Sequence, residues 1–329
     1  MSTIAAKPPG TDAGRIFIRI FLPAAFICVA MIWVLNAIAA DRIENSTLAL
    51  LVAIIAWLTA CWFNIELSRL SILNVKLSRL RDLCVAAIFG VFILFLWEVF
   101  VAVFQIPFIL LPPPSAIFER IMASIPILAA DFVQTVIKAA FIGWCIGSFS
   151  GFLVAVLADR YGFLARGLLP IGNMISALPI IGIAPIMVIW FGFDWHSKAA
   201  VVIVMTFFPA LVNTLAGLGA SGQMEQDLMR TYASSHWQTL LRLRLPAAMP
   251  FIFNALKINS TLSLIGAIVA EFFGTPIVGM GFRISTEVGR MNLDMVWAEI
   301  AVAALAGSLF YGGLALLERS VTFWHPSYR

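Results

Sequence analysis

Eight runs of about twenty apolar residues dominate this chain, and a run of that length leaves the backbone few choices. A bilayer core about 30 Å thick is crossed by roughly 20 helical residues, and no water is present there to satisfy open backbone groups. The runs extend approximately from Ile16 to Ala40, Leu48 to Ile65, Cys84 to Phe104, Phe132 to Leu157, Ile175 to Phe193, Ala199 to Leu218, Ala247 to Phe273 and Val296 to Leu317. They predict an all-α integral membrane protein with about eight transmembrane helices. Composition agrees, with 62% hydrophobic and 12% charged residues against about 25% charged in soluble domains.

The charges between the runs set an orientation. With the N-terminus inside, that side carries Lys7, Arg15, Arg19, Arg69, Lys76, Arg79, Arg81, Arg160, Arg166, Arg230, Arg242, Arg244, Arg319 and Arg329. The other side carries only Arg42, Arg120, Lys198, Arg283 and Arg290. This positive-inside bias predicts a multi-pass membrane protein with both termini cytoplasmic. The basic residues stand in small groups and form no patch, so the net charge of +4 is topology charge and no nucleic-acid partner is expected.

Residues 1–14 are polar, contain Pro8, Pro9 and Gly10, and precede a run too long for a signal-peptide core, so they read as a retained cytoplasmic tail. Residues 15–83 hold two leading helices and the charged linker Glu66–Asp82, residues 84–319 a six-helix working unit, and residues 320–329 a second tail.

Cys28, Cys61, Cys84 and Cys145 lie singly inside apolar runs, without ligand spacing, and read as packing residues; no metal is expected. The sequence contains no H-E-x-x-H, G-x-S-x-G or G-x-x-x-x-G-K-[ST]. No catalytic residue is assigned, and the chain has no P-loop with which to bind ATP.

In the fourth run Gly143, Gly147 and Gly151 follow one i, i+4 row, extended by Ala139 and Ala155. Small residues in that register let a second helix approach closely, either within this chain or from another copy. The fifth run, ALPIIGIAPIMVIWFG, holds Pro179, Gly182 and Pro185 ahead of Trp190. Each proline removes a backbone donor, so a broken helix is expected, either as a packing kink or beside a wet translocation path. Glu98, Lys138, Lys257, Glu271 and Glu299 lie within runs, close to their ends, where snorkelling is the ordinary explanation. Glu271 closes an otherwise apolar stretch and could face a substrate route.

One polar, basic stretch interrupts this pattern, RTYASSHWQTLLRLRLPAAMP from Arg230 to Pro250. Ala233, Trp237, Leu240 and Leu241 recur at helical spacing, with Arg230, Gln238 and Arg242 elsewhere around the axis. The pattern predicts a single amphipathic helix that Leu245, made extended by Pro246, terminates. Such a helix either lies on lipid or inserts as a knob into a groove of a soluble partner.

That segment resembles the coupling loop of binding-protein-dependent ABC importer permeases, whose pattern is E-A-A, three residues, Gly, and later a hydrophobic residue and L-P. Aligned on Leu245-Pro246, Asp227 takes the acidic position, Leu228 and Met229 the pair, and Ala233 the glycine position; an alanine there implies a more regular helix. Trp237-Gln238 is similar to the W-Q of the nitrate, sulfonate and taurine branch. LPPPS at Leu111–Ser115, the proline-rich fifth run and AEFFG at Ala270–Gly274 resemble further segments of that branch, in the family's order over about Leu111 to Arg319.

The resemblance implies a protein of a bacterial inner (plasma) membrane, with a type I permease core of six helices at 84–319 and a coupling helix at 225–245, preceded by two extra helices. It implies an ATPase-coupling surface of Asp227, Arg230, Tyr232, Ala233, Trp237, Gln238, Leu241, Leu245 and Pro246, and a translocation path near Pro179, Gly182, Pro185, Trp190 and Glu271. The partners implied are ABC ATPase subunits that hold ATP and Mg, an external substrate-binding protein, a second copy of the chain and the lipid bilayer; this chain itself is no enzyme and binds no cofactor. The segment from Thr275 to Ile300 is similar to permeases of pyrimidine-type precursors, with sulfonate, nitrate and bicarbonate as other substrates. An ion-gradient-driven transporter, which would place charges near the midplane, and a non-transporting assembly protein are the competing readings.

Overall fold

The computed structural model describes residues 12–39, 46–69, 75–176, 179–274 and 277–324. The described residues are helical, without strands, in two units divided after Glu119. Among the described residues six helices are long and apolar enough to cross a membrane, and the first and fifth expected spans appear as shorter apolar helices, Pro23–Ile38 and Ile181–Phe191.

The first unit contains α1 (Asp12–Ala39), α2 (Ser46–Arg69) and α3 (Val75–Val103). Ile27 and Val34 of α1, Ala53, Ala60 and Phe63 of α2, and Phe92, Phe95 and Val99 of α3 form one apolar core. The acid near the end of α3 has a local task. Glu98 accepts the N–H of Ser115 at 3.0 Å and its hydroxyl at 2.7 Å, capping α4 (Pro114–Ala123), whose first N–H groups have no partner inside the helix.

The second unit is built on α5 (Ile125–Phe132), which continues through a π-helical segment Val133–Phe141 into α6 (Ile142–Arg160). There follow α7 (Gly162–Ser176), α8 (Ile180–Phe191), α9 (Trp195–Leu218), α10 (Gln223–Thr231), α11 (His236–Thr239), a π-helical turn Leu240–Arg244, α12 (Leu245–Glu271), α13 (Met280–Gly289) and α14 (Leu293–Val321).

The glycine row of α6 meets α9 of the same chain. A Cβ on Gly143 would strike Val202 and the Ala199 carbonyl, one on Gly147 Thr206 and the Ile203 carbonyl, and one on Gly151 the Phe207 carbonyl and Ala210. Backbones this close gain dispersion contacts, the force available where lipid removes the hydrophobic drive. Asn259 of α12 then ties the pair together, donating to Ser148 Oγ of α6 at 2.9 Å and to the Thr206 carbonyl of α9 at 2.7 Å. Lys257 pairs with Glu318 of α14 at 2.6 Å.

Many buried positions of this unit are Ala, Gly, Ser, Thr and Asn, while Leu309, Leu316 and Ile189 stand exposed. Large apolar groups outside and small ones inside is the distribution that suits a lipid solvent.

The proline-rich fifth run divides at Pro179. There the backbone is extended (ψ 124°), and α8 starts one residue later and runs on through Pro185. Its 12 residues span about 18 Å, shorter than a bilayer core.

Candidate functional site

Residues 223–245 form a helix, a tight corner and a second helix, which corrects the single continuous helix expected from periodicity. At the corner Ala233 adopts φ +51°, in the left-handed region. The Ala233 N–H bonds the Arg230 carbonyl at 2.9 Å and the Ser234 N–H that of Met229 at 3.0 Å, closing α10. Ser235 then opens α11 through a capping box: its hydroxyl accepts the Gln238 N–H, and the Gln238 side chain accepts the Ser235 N–H at 2.8 Å. Alanine at the glycine position therefore occupies a glycine conformation and does not make the helix more regular.

A second correction concerns Leu245. It is helical (φ −66°, ψ −45°), and the chain stays helical from His236 to Glu271. The reason is the wide turn Leu240–Arg244, in which the Leu245 N–H reaches the Leu240 carbonyl. In an α-helix the Pro246 ring would press on the carbonyl four residues back; a π turn opens the space at that point. Helix α12 is thus a direct continuation of the segment outside the span.

Asp227, Arg230, Tyr232, Ala233, Trp237, Gln238 and Leu241 are all exposed, and Leu245 and Pro246 half-buried. Asp227 and Arg230 pair at 3.2 Å on the surface, a contact of about 0.3–0.5 kcal/mol. Met224, Leu228 and Tyr232 follow one i, i+4 row, with Tyr232 76% exposed. These apolar side chains therefore stand in one exposed row outside the spans. The Arg160 guanidinium stands 5.8 Å from the rings of both Tyr161 and Trp237, a cation–π arrangement that orients the tryptophan.

At the opposite end of the second unit a polar cluster appears that sequence reading missed, except for Glu271. Glu271 is 2% exposed and does not line an open surface. Its carboxylate accepts the Thr135 hydroxyl at 2.8 Å and the Gly281 N–H at 2.7 Å. The Thr135 oxygen in turn accepts the Met280 N–H at 2.8 Å. Asp131 accepts the Gly279 N–H at 2.6 Å and Arg283 Nε at 2.8 Å.

Two carboxylates from α5 and α12 thereby hold the first turn of α13. Gly279, at φ +141°, adopts a backbone conformation that side chains exclude, and a Cβ on Gly281 would strike the Ile268 carbonyl. Glu299 of α14 is fully buried beside Asp131, and its own oxygens meet no donor among the described residues. Glu271 and Glu299 are therefore interior groups, in contrast to the snorkelling expected of run-end charges. Lys198 is buried as well, donating to the carbonyls of Phe193 at 2.6 Å and Asp194 at 3.3 Å. Asp194 caps α9, and the Trp195 N–H holds its carboxyl below the usual carboxylate range.

Gly182, Pro185 and Trp190 lie on α8 and Pro179 caps its start; Ala184 of this helix packs against Ala270, next to Glu271, and no hydrogen bond joins these four residues to the cluster among the described residues. Gly182 and Trp190 are exposed. The side-chain signal for the cluster was the crowding of Asp131, Glu271, Arg283 and Glu299 at span ends on one side of the membrane; sequence separations of 136 to 152 residues hid the pairing.

A family model described as "Binding-protein-dependent transport system inner membrane component" matches residues 145–323. A probable ABC transporter permease protein of Haemophilus influenzae is 27% identical over 75% of this chain and 99% of its own length. The formylaminopyrimidine transport permease protein ThiX of Halalkalibacterium halodurans is 28% identical over 72% and 94%, and a putative aliphatic sulfonates transport permease protein SsuC of Bacillus subtilis is 28% identical over 72% and 86%. Among solved structures an amino acid ABC transporter, crystallised with histidines, superposes with a TM-score of 0.52 at 16% identity, over 62% of this chain and 98% of its own, a likeness of fold.

Proposed function

The chain belongs to the binding-protein-dependent transport system inner membrane components, and from that premise we propose that it is the permease subunit of an ATP-driven importer in which segment 223–245 docks on separate ATPase subunits. The observation that carries this reading is the exposed apolar row Met224, Leu228 and Tyr232, with Trp237 beyond the corner, on a segment whose second helix runs unbroken into α12. A groove on an ATPase subunit, holding ATP and Mg, would close over these side chains. The continuous helix would carry the resulting displacement into the bilayer.

In this reading the segment is cytoplasmic, as are both termini, in keeping with the basic residues on that side. The clamp around α13 then faces the outside, where a binding protein delivers the solute, and a second copy of the chain completes the passage. A pyrimidine-type precursor is the substrate we favour. It is supported by the likeness of residues 275–300 to such permeases and by the similarity to ThiX; sulfonate, nitrate and bicarbonate are the other substrates to assay.

The test is co-purification with candidate ATPase subunits in detergent. Tyr232→Ala combined with Trp237→Ala removes two large apolar anchors, each worth about 2 kcal/mol at an interface centre, so ATPase capture should fall by at least about 30-fold for one such anchor. Capture by the double variant equal to wild type would overturn the docking surface. Capture by neither form would instead favour a segment lying on lipid.

A further inference from the structure

Asp159 sits in the last turn of α6, where the helix dipole concentrates negative charge and an acidic side chain is disfavoured. Its counter-charge comes from a distant element. Arg244, at the end of the π turn, donates Nη1 and Nη2 to the two Asp159 oxygens at 2.7 Å each. The same guanidinium donates Nε to the carbonyl of Leu218, the last residue of α9, at 3.0 Å. That carbonyl is among the four that a helix end leaves without an internal partner. The pair is largely withdrawn from solvent, with side chains 18% and 10% exposed.

One rigid planar fork thus joins the second helix of the segment to the end of α6, which the backbone reaches only by a long detour through α7, α8 and α9, and to the end of α9, which residues 219–222 also join to α10. Continuity of the chain links the segment to α9 at one end and to α12 at the other, and gives it no direct link to α6. Around the fork, Leu240 packs against Leu218 and Ala248, a contact without directional preference. The bidentate pair, by contrast, fixes direction as well as distance. Arg160, the residue after Asp159, also lies over the Trp237 ring, so the end of α6 meets the segment twice.

We propose that Arg244 is a positioning residue, a latch that makes α6 and α9 move with the docking segment when the ATPase subunits close. The proposal rests on the importer reading above.

The experiment takes the chain with its ATPase subunits in lipid nanodiscs and compares hydrogen exchange without nucleotide and after trapping with ATP and vanadate. In the wild type, trapping should alter exchange in residues 223–244, in α12, and in α6 and α9. In Arg244→Gln and Asp159→Asn the response of 223–244 should persist, that of α6 be lost and that of α9, still joined to the segment through residues 219–222, be only weakened, while the exchanged pair Asp159→Arg with Arg244→Asp restores part of the α6 response. A merely structural pair would lower stability without dividing the response in this way. Wild-type responses of α6 and α9 in Arg244→Gln would overturn the latch, as would failure of every variant to assemble, which would make the pair structural only. Failure of the wild type to capture the ATPase would overturn the importer reading, and with it the latch.

Discussion

Ala233 holds the corner between α10 and α11 in a conformation that costs an ordinary residue about 1–2 kcal/mol, while a glycine there would add about 0.4–1 kcal/mol of unfolded-chain entropy. The first effect is the larger, so Ala233→Gly should steady the corner by about 0.5–1 kcal/mol, read as slower hydrogen exchange at residues 233–239; faster exchange would contradict the strain argument. At the other end, Glu271→Ala leaves the Thr135 hydroxyl and the Gly281 N–H without their acceptor, each omission costing about 1–3 kcal/mol. A clear fall in thermal midpoint is expected, with a smaller fall for Glu271→Gln, whose carbonyl still accepts. Equal midpoints for Glu271→Ala and wild type would mean that the clamp contributes nothing to holding α13. The Glu271 side chain was singled out in the sequence because it ended an apolar run, and its burial was not legible there. What satisfies a charge inside a bilayer is a partner brought by topology, here Thr135, 136 positions away.

At the scale of elements, apolar run length specified most of the helices, because a bilayer thickness imposes one number on all of them. Local chemistry decided the places where the expectation failed. The capping box of Ser235 and Gln238 is written in the sequence, but the amphipathic period across it concealed the break. Pro246 signalled a helix end, and the π turn before it removed the clash on which that signal depends. The glycine row of α6 showed tight packing and left its partner open; the carbonyls of Ala199, Ile203 and Phe207 identify α9. A Gly147→Ala methyl would meet the Ile203 carbonyl at 2.7 Å, and overpacking of that kind costs about 1–3 kcal/mol. Gly312→Ala meets nothing within 4 Å and replaces a poor helix former, a gain of up to about 1 kcal/mol. Thermal unfolding in detergent should therefore separate the two variants in opposite directions, and a harmless Gly147→Ala would show that α6 and α9 pack less closely than described.

For the whole molecule, the division after Glu119 places the docking segment, the α13 clamp and the family match at 145–323 in the second unit. The first unit has its own core, where Phe92, Phe95 and Val99 of α3 lie against α1 and α2. In water, uncovering those side chains would cost several kcal/mol; in a bilayer, acyl chains cover them and only packing is lost. The proposed orientation also tolerates removal of both leading helices, since two spans are an even number and Lys76, Arg79 and Arg81 remain at the start of α3 to favour that end inside. A chain beginning at Val75 should accordingly insert and capture ATPase subunits as the full chain does, judged by co-purification and by protease access to residues 223–244 from the cytoplasmic side. Removing α1 alone is the informative contrast, since it leaves an odd number of spans ahead of an unchanged charge pattern. If α2 still inserts, every later loop is inverted and capture should be lost; if α2 stays out, the later spans keep the orientation of the Val75 chain and capture should persist. Loss of capture in the properly inserted Val75 chain would mean instead that the two leading helices take part in docking.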